Sequence, residues 1–204
     1  MSDSETTEIR GGESFDSKRL AGYLAECLPE FTEPLTVRQF KGGQSNPTYL
    51  LQTPVRKYVL RKKPPGDLLP SAHMIEREYR VMAALKDTGV PVANARALCD
   101  DSSILGTPFY VMDHIDGRIF RNPAAPELSP DARADIYGAM IDSMAALHKV
   151  DWKTVGLAEF GKPTDYLTRQ IRLWTRQYDA AKTVDIASMD ALMAWLPDNI
   201  PAEE

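Results

Sequence analysis

Gly42 and Gly43, followed by Gln44, Ser45 and Asn46, are the residues whose types and spacing most directly suggest chemistry. Adjacent glycines let the backbone take positive φ and approach a ligand with no Cβ in the way, and the neighbouring polar groups sit beside backbone N–H donors. A phosphate group suits such a cradle. A hairpin turn between two strands uses the same residue types, so the loop alone is compatible with both readings. Further along, Lys57, Arg61, Lys62 and Lys63 form a basic patch that could meet a small anion, although the chain carries a formal net charge of -5.

The other chemistry-bearing residues do not gather into a second site. His73 and His114 are isolated, while Cys27 and Cys99 lack metal-ligand spacing and sit among apolar neighbours, as reduced, partly buried thiols do. His148 and Asp151 are close in sequence but fall at the end of an amphipathic segment, where a structural role is the simpler reading. A chain of 204 residues can form one domain or two small lobes. Its acidic balance speaks against nucleic acid as the main partner. No apolar run reaches the roughly 18 to 20 residues of a membrane span, and the polar start from Met1 to Glu13 is unlike a signal peptide. A cytoplasmic protein with no membrane partner is the expectation.

The elements that must position the loop follow from periodicity. Asp16 is placed to cap a helix that repeats Leu20, Tyr23, Leu24, Cys27 and Leu28 on one face and ends at Pro29. Leu35 to Phe40, Thr48 to Gln52 and Lys57 to Arg61 read as three strands of an antiparallel meander around the glycine loop. Ser71 to Lys86 predicts a helix, and Val90 to Leu98 and Pro108 to Met112 predict two more strands, the second nearly all apolar and so central. From Gly117 the pattern turns helical: Ser129-Pro130 opens a helix whose stripe of Tyr137, Met140, Ile141, Met144 and Leu147 predicts burial. Thr164 to Lys182 and Asp185 to Leu196 predict two further helices with core-facing sides. The reading is thus a disordered tail over 1–14, a sheet-bearing lobe over 15–113, and a helical region over 114–204, joined at Asp113 to Gly117.

In this order, a glycine hairpin, a strand cation, a helix glutamate, an apolar fifth strand and then helices resemble the protein-kinase-like fold. The segments Phe40 to Tyr49, Tyr58 to Pro64, His73 to Leu85, Ala145 to Asp151 and Leu196 to Pro201 are similar to motifs of the aminoglycoside phosphotransferase family. Within it, the resemblance extends to the kinase-like domain fused to some long acyl-CoA dehydrogenases. The fold implied is α+β: an N-terminal antiparallel five-stranded sheet with one main helix, then the beginning of a mostly helical C-terminal lobe.

The resemblance implies ATP as cofactor and a small-molecule hydroxyl as acceptor, and its acyl-CoA dehydrogenase-fused branch implies an acceptor of hydroxyacyl-CoA type.

 The backbone around Gly42, Gly43, Gln44 and Ser45, with Asn46 beside it, would cover the phosphates, and the Ser45 hydroxyl would donate to them. Arg61 takes the place of the strand cation that grips the α and β phosphates, and Glu78 that of the helix glutamate that holds this cation. Glu76 competes for the same role, because two residues turn a helix by about 200° and only one of the two carboxylates can face Arg61. Met112 would back the adenine, with the Asp113 carbonyl and the Ile115 N–H on its edge.

The family's His-Gly-Asp catalytic motif with its trailing Asn, and the later Asp that binds Mg2+, do not occur among these residues. The sequence therefore reads as a fragment of a phosphotransferase, with no catalytic or metal-binding residue of its own and with apolar surface around Trp174, Tyr178 and Trp195 open to association. A nucleotide-binding module without transfer activity, or an interaction protein on the same scaffold, is the alternative.

Overall fold

The computed structural model describes residues 5–42, 46–66, 73–162 and 164–201, apart from the side chain of Glu13. Packing divides the chain into two compact units, Met1–Asp151 and Trp152–Glu204, whereas the composition changes at Asp113. The first unit holds an antiparallel sheet of six strands: β1 (Thr6–Thr7), β2 (Thr36–Phe40), β3 (Thr48–Gln52), β4 (Lys57–Lys62), β5 (Ala95–Cys99) and β6 (Phe109–Asp113). Their spatial order is β1-β2-β3-β4-β6-β5.

Five of these strands match the five expected, β2 to β4 forming the three-strand meander, and the sixth corrects the count. Thr6 and Thr7, inside the segment expected to be a disordered tail, pair with Phe40 and Gln39 at the sheet edge. Polar contacts hold them there: Arg38 Nε donates to Thr6 Oγ1 at 2.9 Å, and the Arg10 N–H to Gln39 Oε1 at 2.9 Å. A strand of two threonines has no apolar alternation, which is why periodicity misses it.

Helix α1 (Ser17–Cys27) covers one face of the sheet. The Asp16 side chain accepts from the Lys18 and Arg19 N–H groups at 2.9 and 3.3 Å, satisfying donors that the first turn leaves open. Leu20, Leu24 and Leu28, spaced one turn apart, pack on Tyr49, Leu51, Tyr58, Leu60, Phe109 and Val111. Phe15 meets Tyr49 edge-on at 5.0 Å, and Tyr23 meets Phe109 in the same way at 5.4 Å.

The opposite face carries the alternate residues. Register pairs Val59 with Met112 and Arg61 with Tyr110, so these four side chains share a face, since successive strand residues point to opposite sides. Helix α2 (Ile75–Leu85) packs against β5 and β6, with Tyr79 and Tyr110 ring centroids 6.1 Å apart. It begins later than the expected Ser71; Ser71 lies outside the described residues, and His73, at φ 57, precedes the first helical turn. The strand expected from Val90 begins only at Ala95, after Pro91, which has no N–H to give a ladder.

Strand alternation also breaks up the basic patch read from the sequence. Lys62 points to the α1 side, where it is buried, donates from Nζ to the Leu105 carbonyl at 2.8 Å and lies 5.5 Å from the Phe15 ring centroid. Lys63 pairs with Glu76 at 2.8 Å, and Lys57 is exposed at the far end of β4. Arg61 faces the α2 side, where it and Lys63 meet two different carboxylates of α2.

Between α2 and β6, a single-turn helix α3 (Ser102–Leu105) precedes Gly106, which takes a left-handed φ of 82. After β6, helix α4 (Pro130–His148) starts as expected, with Ser129 Oγ accepting from the Ala132 N–H at 3.2 Å. Its apolar stripe is not buried, contrary to expectation: Tyr137, Met140, Ile141, Met144 and Leu147 are exposed, Ile141 at 65%. The second unit consists of α5 (Tyr166–Ala181), α6 (Ala187–Trp195) and a short turn of 3-10 helix over Leu196–Asn199. There too the helical faces read as core-facing are open at Leu167 and Leu192, while the exposure of Trp174 and Trp195 matches the open apolar surface expected around them. Amphipathic periodicity marks a face that favours cover; it does not supply the covering element.

Candidate nucleotide site

Arg61 sits near the end of β4 and Glu78 on the first turn of α2, across the sheet face opposite α1. Their side chains form a two-point ion pair, Nε to Oε2 at 2.9 Å and Nη2 to Oε1 at 3.3 Å. Glu76 is turned away to Lys63, so the helical rotation separates the two carboxylates, and Glu78 is the one that meets Arg61. Burial opposes ionisation of Glu76, but the Lys63 hydrogen bond, a backbone hydrogen bond and the Lys63 charge together outweigh it and hold the carboxyl below its ordinary value.

Two further groups converge on Glu78. Tyr110, opposite Arg61 in the ladder, donates its hydroxyl to Oε2 at 2.9 Å, and Asn46 Nδ2 donates to Oε1 at 3.2 Å. Burial, and then the charge of Glu78, push the Tyr110 hydroxyl well above the ordinary tyrosine range, so it stays protonated as a donor. Asn46, only 4% exposed, is the first described residue after the glycine loop. Gly43, Gln44 and Ser45 lie outside the described residues. Gly42 is exposed, does not take positive φ, and an added Cβ would meet nothing within 4 Å, so packing within the protein does not itself demand glycine there.

At the other end of the same face, Met112 is half-buried beside Val59, and Ile115 is 62% exposed. The Asp113 side chain has a structural partner that sequence reading did not anticipate. Arg96 reaches it from β5 with Nε on Oδ1 at 2.8 Å and Nη2 on Oδ2 at 2.9 Å, and Asn94 adds Nδ2 to Oδ2 at 2.9 Å. An aspartate ending an apolar strand beside a strand that carries arginine was the available signal. The β3–β4 turn and the segment from Asp113 to Asp116 line a cavity of about 550 Å³; Arg61 and Glu78 are not among its walls.

Burial works against the Asp113 carboxylate, but the Arg96 and Asn94 hydrogen bonds win and lower its pKa. A depressed folded pKa gives stability that is present above the unfolded value and lost as pH falls through the folded one. Asp113→Asn should therefore cost about 1 to 2 kcal/mol above roughly pH 4, and the gap to wild type should close in more acidic solution. Urea unfolding of both proteins across pH measures it; a gap independent of pH would refute the assignment.

A sheet with a helix on each face, rather than the single main helix expected, a strand cation held by a helix carboxylate, and helices after the sheet define a kinase-like α+β scaffold. The chain belongs to the phosphotransferase enzyme family (APH), which it matches over residues 36–204. It is 46% identical over 203 residues to acyl-CoA dehydrogenase family member 11 of Gallus gallus, which covers 98% of this chain and 26% of that protein. It is 49% identical over 200 residues to acyl-CoA dehydrogenase family member 10 of Mus musculus, with 98% and 19% covered. A crystal structure from Ralstonia eutropha, assigned as an aminoglycoside phosphotransferase, superimposes with a TM-score of 0.80 at 46% identity, over 93% of this chain and 55% of that one. The chain thus spans about a quarter or less of the length of these two curated relatives and just over half of the solved one. Among the described residues, no helix is long and apolar enough to cross a membrane.

Proposed function

We propose that this chain binds ATP on the sheet face that carries Arg61, as the nucleotide lobe of a phosphotransferase acting on a small-molecule hydroxyl. The observation that carries this reading is the Arg61–Glu78 ion pair, a cation fixed on a sheet face beside the end of a glycine loop. Glu78 takes one hydrogen bond from the guanidinium, through Nη2, and lies within ion-pair distance of Nε, which leaves further N–H donors of the planar fork for phosphate oxygens. Gly42 to Asn46 would cover the phosphates from the loop. Met112, the Asp113 carbonyl and the Ile115 N–H would take the adenine.

In the transfer such a lobe would serve, the acceptor hydroxyl would lose its proton and its oxygen would bond to the γ phosphorus as the bond to the β-γ bridging oxygen breaks, with ADP leaving. The residues of this lobe bind and orient the donor. They do not fit a resident Mg2+: among the described residues, no group of three or more His, Cys, Asp or Glu is placed to hold a metal. Glu78 already accepts from Arg61, Asn46 and Tyr110. The relatives named for acyl-CoA dehydrogenases favour a hydroxyacyl-CoA type of acceptor over a sugar.

Titration of the chain with ATP and with adenosine tests the binding. ATP is expected to bind at least about ten-fold more tightly, the contribution of one charge-assisted phosphate contact. Equal affinities, or no binding, would refute it. The alternative, a nucleotide-binding module, is separated by assaying transfer to hydroxyacyl-CoA with a protein that carries the family's catalytic motif behind this lobe: ATP binding without transfer there would favour it.

A further inference from the structure

Around Glu78 the donors form an ordered set. An ionised carboxylate can only accept, so Asn46 must turn its NH2 towards Glu78, which leaves the Asn46 carbonyl oxygen facing away. That oxygen lies 2.9 Å from His73 Nδ1. An amide oxygen can only accept, so His73 must carry a proton on Nδ1. The chain of donation therefore runs from His73 to Asn46 to Glu78, where it joins the donors from Arg61 and Tyr110.

The backbone at both ends of this relay is held. The Asn46 carbonyl accepts from Thr48 Oγ1 at 3.0 Å, and the next residue, Pro47, accepts from the Lys62 N–H at 3.1 Å, which anchors the end of the loop to β3 and β4. The His73 carbonyl accepts from the Ile75 N–H at 3.0 Å at the start of α2. His73 itself has φ 57, a conformation that non-glycine residues adopt infrequently and that histidine, asparagine and aspartate tolerate best.

We propose that Asn46 and His73 are positioning residues of the nucleotide site: their relay joins the end of the glycine loop to α2 and holds Glu78 where it aims Arg61. The proposal rests on the nucleotide-binding reading above. Neither residue needs to touch the nucleotide. Their effect is to order the phosphate-binding cation before the ligand arrives, which lowers the cost of ordering on binding.

ATP titration of variants of the 204-residue chain tests the relay. His73→Leu removes the Nδ1 donor and is expected to weaken ATP binding about ten-fold. His73→Asn should restore it to within about two-fold, because its amide N–H stands where Nδ1 did and asparagine accepts the left-handed backbone. Asn46→Asp sets a second carboxylate against Glu78 and should weaken binding by at least about ten-fold. Undiminished binding by His73→Leu, or a His73→Asn protein as weak as His73→Leu, would overturn the relay. Nitrogen-15 NMR of wild type gives a readout that does not depend on variant folding: neutral His73 is expected as the Nδ1–H tautomer, and an Nε2–H tautomer would overturn the proposal. Arg61→Ala separates the two levels. If it leaves ATP binding intact, the nucleotide reading fails; if it weakens binding while His73→Leu does not, only the relay fails.

Discussion

Arg61→Ala is expected to weaken ATP binding by about ten- to a hundred-fold, the effect of losing a contact between a charged donor and phosphate. The substitution removes the fixed cation of the sheet face and leaves Glu78 negative beside the phosphate position. That uncompensated charge repels the ligand, which places the expected effect towards the upper end. Arg61→Lys should fall between wild type and alanine. A lysine keeps the charge, but a single ammonium cannot reproduce the two-point geometry with Glu78 and still offer a planar fork to phosphate. Isothermal titration with ATP measures all three proteins, with circular dichroism to establish that each is folded. Because the pair is partly solvent-exposed, the stability cost should be small. Affinity within about two-fold of wild type for Arg61→Ala would remove Arg61 from the site.

Phe109→Ala is expected to cost the first unit about 3 to 5 kcal/mol, a large share of the roughly 5 to 15 kcal/mol that holds a typical domain folded. Phe109 is 0% exposed, lies in the ladder between Lys62 and Cys99, and receives the Tyr23 ring of α1 edge-on. Its removal opens a cavity between the sheet and α1 that a β-sheet cannot collapse to fill. Trp152, Trp174 and Trp195 all lie in the second unit, so their fluorescence reports little on this change. Hydrogen exchange of β4 and β6 amides in rising urea is the suitable measure. Phe109 points to the face opposite Arg61, so ATP affinity of the folded variant should stay within about two-fold of wild type. A loss below about 1 kcal/mol would contradict the assigned core.

The site was legible where chemistry and order in the chain coincide. Arg61 and Glu78 stand out as a strand cation and a helix carboxylate, and a family resemblance gives them their order behind the glycine loop. The choice between Glu78 and Glu76 was less accessible: the two carboxylates lie two residues apart among Arg77 and Arg80, and only the packed orientation of α2 sends one to Arg61 and the other to Lys63. Tyr110 read as an apolar strand residue, and His73 as an isolated histidine. Their roles depend on cross-strand register and on a left-handed backbone, neither of which leaves a periodic trace in the sequence.

By itself, the sequence determined the strand and helix order, the glycine loop, the α1 cap at Asp16 and the apolar faces of each helix, because these depend on contacts within a few residues. The tertiary structure alone decided which faces are covered. It buried Lys62 under Phe15 while leaving the α4 stripe open, added Thr6 and Thr7 to the sheet edge, and brought Asn46, Arg61, His73, Glu78 and Tyr110 to one point. Those outcomes belong to residues distant in the chain, whose meeting is fixed by strand register and helix rotation rather than by any local preference.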